Sequence, residues 1–509
     1  MSQIIETQSN PLPIHSESHT IPETSPINTN PQTPITQHLV PESPQILIEK
    51  DPTLKSLSTK ENPALMIDKK ITQEKRKIPF LSHFQSGKLP NAIFNIAVLA
   101  LGTGCFSIGK KVEYMSICFT PIYVIIAGLV NYWSIILMGI SAQKYNIYDY
   151  GHLVMKLYGK SLSFLLDLSV ILYDYGVIIL YQIVAYKLIG GVINDLGKYG
   201  YKSLDDFIDN SFWKKKMYKF PIFFGINIFI LIPLCLLKNI AKMGFTVALG
   251  IISFFVLAFI VIIESPFFIK HYFQKEYKSN DKNTHMNLYD ITKGFDQNLN
   301  FIRPFATLFF AYSCQAGVFP VFASIHNFTY KKLNIIAKYA IGICIIIYLL
   351  LSILGYMTQP INPPSLIIER KSIFKSDIIM VIGRMDFIIT LLTKIPPIYN
   401  SMRITLVSMI GKDPDNFSNL LNVLLTIPLL LLSCLVGALY QHVTDYIDLI
   451  GSLTSIFIMF LIPGLLYLKS NDYPKTHWKN ITTIILISLF SVICLISAIF
   501  TIKDIIDKA

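Results

Sequence analysis

The sequence predicts an all-α integral membrane protein of about eleven transmembrane helices. Three observations carry this. Only 15% of the 509 residues are charged, where a soluble chain carries about 25%. Hydrophobic residues make up 52%; beyond position 89 they gather in runs of about 18–30, and roughly 20 suffice to cross a bilayer. The runs are continuous. That favours helices over the shorter, alternating strands of a membrane barrel.

The elements follow in chain order. Residues 1–80 are rich in Pro, Ser, Thr, Gln and Asn and poor in aromatics. Such a segment buries too little apolar surface to offset the entropy of ordering, so a disordered tail is expected. Ser25, Thr33 and Ser43 each precede proline, the pattern of proline-directed phosphorylation, but a solvated spacer is the simpler reading. The tail holds no apolar signal-peptide core and is easiest to leave in the cytosol. The apolar runs after it are 89–108, 114–140, 161–192, 220–237, 243–269, 301–322, 335–357, 377–398, 420–440, 446–468 and 481–502. An odd number of crossings puts the termini on opposite sides. Lys and Arg divide evenly between the two sides, so the positive-inside rule does not orient the chain. The sequons at Asn327, Asn416 and Asn480 fall on the tail's side and go unused if that side is cytosolic. The expected organisation is a cytosolic tail, 1–80, and an eleven-helix transporter domain, 81–509.

Several function classes drop out. The net charge of +12 is scattered between apolar runs without a basic motif; it reads as loop charge beside lipid headgroups, with no nucleic-acid partner. Seven cysteines show no metal or redox spacing, and a disulfide framework is not expected. No metal or cofactor is called for. There is no G-x-x-x-x-G-K-[ST] motif. The histidines lie mostly in the tail and loops, without the convergent constellation an enzyme needs.

Two spans interrupt themselves. The first reads "NAIFNIAVLALGTGCFSIG", with Gly102 and Gly104 flanking Thr103. The sixth reads "FATLFFAYSCQAGVFPVF", with Tyr312, Ser313, Cys314, Gln315, Ala316 and Gly317 at its middle. Glycine costs roughly 1 kcal/mol inside a helix, and backbone freed at membrane depth is tolerated around a protein-lined cavity. Spans one and six are five apart. That spacing fits a 5+5 inverted repeat with the first helix of each half broken near the midplane. Close helix packing through small residues is the competing explanation.

The residues after position 89 resemble the amino acid/auxin permease family of the APC superfamily. Phe94, Asn95, Gly102, Thr103 and Gly104 follow its span-one pattern F-N-x-x-N-x-x-x-G-S-G. "FFAYSCQAGVFPVF" is similar to its span-six F-x-F-x-C-H-x-x-x-x-P-I-Y. "LIGSLTSIFIMFLIPGLLYLK" resembles its span ten. Arg384, Pro396 and Arg403 match its span eight, and Tyr181 a span-three tyrosine. The resemblance covers roughly 89–500. It implies an APC/LeuT-like fold with broken helices 1 and 6, and a secondary transporter that moves amino acids by alternating access. It further implies that amides freed at the first break hold the substrate carboxylate and that carbonyls freed at the second receive its ammonium. The implied substrate site is Asn95, Gly102, Thr103, Gly104, Tyr181, Tyr312, Ser313, Cys314 and Gln315. The implied partners are an amino acid, the lipid bilayer and protons. The implied location is the plasma membrane or a vacuolar/lysosomal-type membrane.

Departures from the family pattern bear on coupling. Val98 stands where sodium-coupled members keep a second Asn, and Lys394 where they keep a Thr. A hard cation wants oxygen ligands, so a sodium site of the usual kind is not expected, and transport is proton-coupled or facilitative. Gln315 replaces a titratable His. Lys394 has two readings: its stem lies in lipid and the ammonium snorkels, or the ammonium takes the place of the absent sodium, fixed or cycling a proton. Asp174, mid-span, either carries a proton, pairs with a cation, or is a polar residue in a water-filled vestibule or bonded to a neighbouring helix. Arg384 and Asp386 are expected to form an ion pair. Glu264 and Arg403 are expected near the interface. A second functional reading is an amino-acid sensor on the same fold, signalling through the tail.

Overall fold

The computed structural model describes residues 88–197, 224–237, 244–274, 277–279, 282–284, 300–360, 362–370, 378–413, 417–439, 442–474 and 476–508. The predicted tail, 1–80, lies outside them. The described residues are helical apart from one small hairpin, β1 (Tyr277–Ser279) antiparallel to β2 (Lys282–Thr284).

The chain enters α1 (Leu89–Ala100), turns through a 3-10 segment (Thr103–Ser107) and continues as α2 (Ile108–Met115). Next come α3 (Thr120–Tyr145), a short α4 (Tyr150–Tyr158), α5 (Lys160–Gly197), α6 (Phe224–Leu236) and α7 (Gly244–Gln274). After the hairpin lie α8 (Arg303–Tyr312) and α9 (Gln315–Ala323), then α10 (Tyr330–Thr358) and α11 (Ile378–Met409). The last are α12 (Asn419–Leu439), α13 (Val443–Ser470) and α14 (Trp478–Lys508).

Local chemistry sets several helix ends. Prolines at the first turns of α1, α3 and α8 cost no hydrogen bond there. Asp149 caps α4 by accepting the His152 N–H at 2.7 Å, and Thr329 caps α10 through the Lys332 N–H. Asn146 ends α3 in the left-handed conformation, φ 52°.

Among the described residues, eight helices are long and apolar enough to cross a membrane, or nine if α1 and the helix after it, bent by 49°, count as one span. Two further helices coincide with predicted spans without meeting that measure. α6 is short, and α11 carries too much charge. Ile252 and Phe259 on α7, Tyr339 and Ile346 on α10, Leu424 and Leu432 on α12, and Ile485 and Ile499 on α14 are exposed. Such a belt suits lipid contact. The chain is a multi-pass membrane protein.

The charged residues singled out in the sequence find partners inside the bundle, and one expectation, the Arg384–Asp386 pair, is corrected. Glu264 is buried and ion-paired with Arg370, whose guanidinium stacks 3.9 Å from the Phe268 ring centre. Arg403 is buried too, donating to Asn400, to Asn422 at 2.6 Å and to the Cys235 carbonyl at 3.0 Å. Arg384 and Asp386 do not pair. Arg384 donates to the Ile368 and Arg370 carbonyls at 2.9 and 2.8 Å, while Asp386 accepts from Ser253 at 2.7 Å. Residues two apart on a helix face different ways.

Candidate functional site

The two predicted interruptions are real breaks, and they lie against each other. At the first, Gly102 is extended (φ −91°, ψ −177°) between α1 and the 3-10 turn. At the second, Ser313 (φ −65°, ψ 110°) and Cys314 (φ −134°, ψ 1°) separate α8 from α9. Gly104 permits the contact. A Cβ there would stand 3.0 Å from Ala311 Cα and 2.9 Å from a Phe310 ring carbon. On the other side of the breaks, Leu99 fills the space a Gly317 side chain would need.

A broken helix leaves carbonyls without their i+4 donors. Tyr348 of α10 reaches one such carbonyl on each side. Its hydroxyl lies within hydrogen-bonding distance of the Ala311 oxygen, at 2.7 Å, and of the Ala100 oxygen. Its ring meets Tyr312 at 4.6 Å. At the start of α9, Gln315 acts as a cap. Its side-chain oxygen accepts the Cys314 N–H at 3.0 Å, and its amide donates to Asn131 at 2.7 Å and to Ser134 at 3.3 Å. Asn131 in turn faces the Cys314 sulfur at 3.8 Å. The second break is thereby fastened to α3.

A cavity of about 430 Å³ opens beside the breaks, within the range of about 300–1,000 Å³ usual for small-molecule sites. Gly102, Tyr181, Ser313, Cys314 and Gln315 line it, together with Lys394 and Asp174. The sequence reading thus brought seven of its eleven site residues to one place. Others fall elsewhere. Tyr312 is fully buried away from the cavity, its hydroxyl donating to the Val124 carbonyl at 3.2 Å. Asn95 and Gly104 are not among the lining residues; Asn95 lies most of two turns before the break, and Gly104 is used for packing. The Thr103 side chain lies outside the described residues. Gln315 reaches the wall, but its side-chain polar atoms are engaged within the protein. The difference has one cause: a motif in a broken helix mixes residues that face the cavity with residues that hold the break.

Two polar lining residues were missed. Tyr173 sends its hydroxyl to within 3.5 Å of the Ser313 carbonyl, and Ser401 of α11 faces Asp174. Tyr173 precedes Asp174 in the sequence, so its neighbourhood was visible, but the side it faces was not.

Lys394 projects from the middle of α11, half-buried, with the Cys105 thiol within electrostatic reach across the first break. It makes no hydrogen bond or ion pair among the described residues. It lines the cavity. Asp174 is 7% exposed, and its Oδ2 has no hydrogen-bond partner.

Asp174, Pro320 and Ser401 line the cavity with the breaks, and Ala316, Pro320 and Ser401 are exposed. Past the first break, Lys111 of α2 is ion-paired with Asp448 of α13, both side chains 5% exposed, and Thr307 of α8 donates to the same carboxylate. Gly451, one turn on, lets α13 close against α8; a Cβ there would meet the Ala306 carbonyl at 2.6 Å. Beyond it Arg303 pairs with Asp504, one of its two bonds at 3.0 Å.

Broken helices around a small-molecule cavity, inside a multi-pass helical bundle, define a membrane transporter rather than an enzyme. Comparison with known proteins makes this specific. Residues 85–506 match the family described as transmembrane amino acid transporter protein, and the chain belongs to that family. It is similar to the amino acid transporter AVT6E of Arabidopsis thaliana, 22% identical over 398 residues, 76% of each chain. It is also similar to the sodium-coupled neutral amino acid symporter 2 of Danio rerio, 21% identical over 414 residues, 79% of each.

Two measurements check this geometry. Tyr348→Phe leaves the Ala311 carbonyl without its donor, at a cost of about 1–3 kcal/mol; the purified protein in detergent should melt earlier, and an unchanged midpoint would contradict the bridging role. Gly104→Ala should sharply reduce folded yield, because its Cβ meets backbone, whereas Gly102→Ala faces open space and should fold. Size-exclusion profiles of the two would show this order or its reverse.

Proposed function

We propose that this chain is a secondary transporter that carries amino acids across a membrane by alternating access, without sodium. The observation that carries the reading is the meeting of the two breaks at one cavity. Orphan N–H groups at a break favour an anion and orphan carbonyls a cation, so adjoining breaks suit a zwitterion. Alternating access requires the packing around the breaks to rearrange between two states, and the buried Lys111–Asp448–Thr307 cluster is a contact that could part.

The same reading completes the count at eleven spans, as two inverted repeats of five and a final helix, with a cytosolic tail ahead of residue 81. α11 then crosses inside the bundle, since Arg384 and Arg403 are buried and Lys394 faces the cavity. Its charge disqualifies it by composition only.

Coupling follows from Val98 and Lys394, which both line the cavity. An aliphatic side chain and an ammonium offer no oxygen to a cation. The Lys394 ammonium, beside the first break and without a partner, serves as the built-in positive charge between α11 and that break.

Uptake of labelled amino acids into vesicles carrying the full chain should persist when choline replaces sodium; a steep sodium dependence would overturn this coupling scheme. Lys394→Thr removes the ammonium and supplies an oxygen, so net uptake should fall about tenfold or more, or become sodium-dependent. Net uptake also separates a carrier from a sensor, which binds without turnover. A protease-protection assay should find the two termini on opposite sides; finding them together would exclude eleven spans.

A further inference from the structure

Asp174 is not accounted for by the clamp at the breaks. It sits on α5 with its side chain in the cavity wall, 7% exposed, and its Oδ2 is enclosed without a hydrogen-bond donor. Among the described residues the Ser401 hydroxyl faces it and no Lys or Arg pairs with it. Lys394, the other charged group of this cavity, does not supply the missing cation. It lies seven residues before Ser401 on the same helix, about two turns or 10 Å along the axis. It belongs to the first break, near Cys105.

A carboxylate held this way is costly to keep charged unless something positive comes to it. The surroundings suit a cation. Tyr173, Tyr181 and Phe310 line the same cavity, and aromatic faces attract ammonium and guanidinium groups. The placement also fits a long side chain. The Tyr173 hydroxyl reaches the Ser313 carbonyl at 3.5 Å, and Asp174 lines the same cavity as Ser313 and Cys314 of the second break. Ser401 lines this cavity beside Asp174 and is exposed.

We infer that Asp174, with Ser401 beside it, is the subsite for a cationic side chain, and that the substrate class is the basic amino acids. This rests on the transport reading above: the breaks take the α-carboxylate and α-ammonium, and Asp174 takes the positive end of the side chain. A neutral side chain of the same length leaves the carboxylate uncompensated, and this gives the selectivity.

Arginine and citrulline make the test, because they differ little in shape and differ by a charge. The readout is displacement of labelled arginine from the purified full-length protein, beside uptake in vesicles. Arginine should bind about tenfold or more tighter than citrulline, since breaking a buried charge pair is costly. In Asp174→Asn that ratio should collapse towards one, and Asp174→Glu should restore part of it. Equal affinity for the two ligands in the unaltered protein would overturn the inference without any variant, as would a ratio that survives Asp174→Asn. Loss of pH-driven accumulation in Asp174→Asn with the ratio intact would make Asp174 a proton carrier and also overturn it. If neutral amino acids are taken up and basic ones are not, the transport reading stands and this assignment falls. If no amino acid binds or moves, both fall.

Discussion

A helix that stops inside a membrane leaves N–H and C=O groups with no water to satisfy them, and this chain stops two helices side by side. Most of the surrounding structure answers that constraint. Tyr348 reaches one freed carbonyl from each break, and Gln315 takes the Cys314 N–H with its own side chain. Asn131 and Ser134 hold Gln315 in turn. Residues of both breaks line the cavity. On the proposed reading, a zwitterion would occupy the part of the interruption that the protein leaves open.

The same economy governs charge. The cluster of Lys111, Asp448 and Thr307 is complete: the carboxylate has a cation and a hydroxyl, and all three side chains are buried. Arg384 and Arg403 are engaged by carbonyls and amides. Against that background Lys394 and Asp174 stand out, since they lie in the cavity wall without ion-pair partners among the described residues. A satisfied charge fixes structure. A charge left waiting in a cavity invites a ligand, a proton or a conformational change.

The helical class and the position of both breaks were legible in the sequence because they depend on local properties: apolar runs long enough for lipid, and small residues where a run should be uniform. Lys394 and Asp174 were legible for the same reason, as ionisable residues inside apolar spans. The roles of individual motif residues were not. Tyr312 and Ser313 are neighbours, yet one packs in the core and the other presents its carbonyl beside the cavity. That difference arises at the break itself, where the backbone leaves helical geometry and the facing of successive side chains no longer follows a period. Arg384 and Asp386 failed differently. Proximity along the chain suggested a pair, while Ser253 and the 368–370 carbonyls, distant in sequence, claimed them. Tyr348 carried no local signal, because a tyrosine in an apolar span looks like any other core aromatic.

The central claim is that the amino acid binds between the breaks. Gly102→Cys, in a chain whose exposed Cys118 and cavity-lining Cys314 are both changed to Ser, places one thiol where the added Cβ meets nothing within 4 Å, on the cavity wall. The measurement is its rate of reaction with a water-soluble thiol reagent, with and without a saturating amino acid that the protein transports. Binding between the breaks predicts strong protection by that amino acid and none by one that is not transported. Equal labelling in its presence and absence would place the substrate elsewhere.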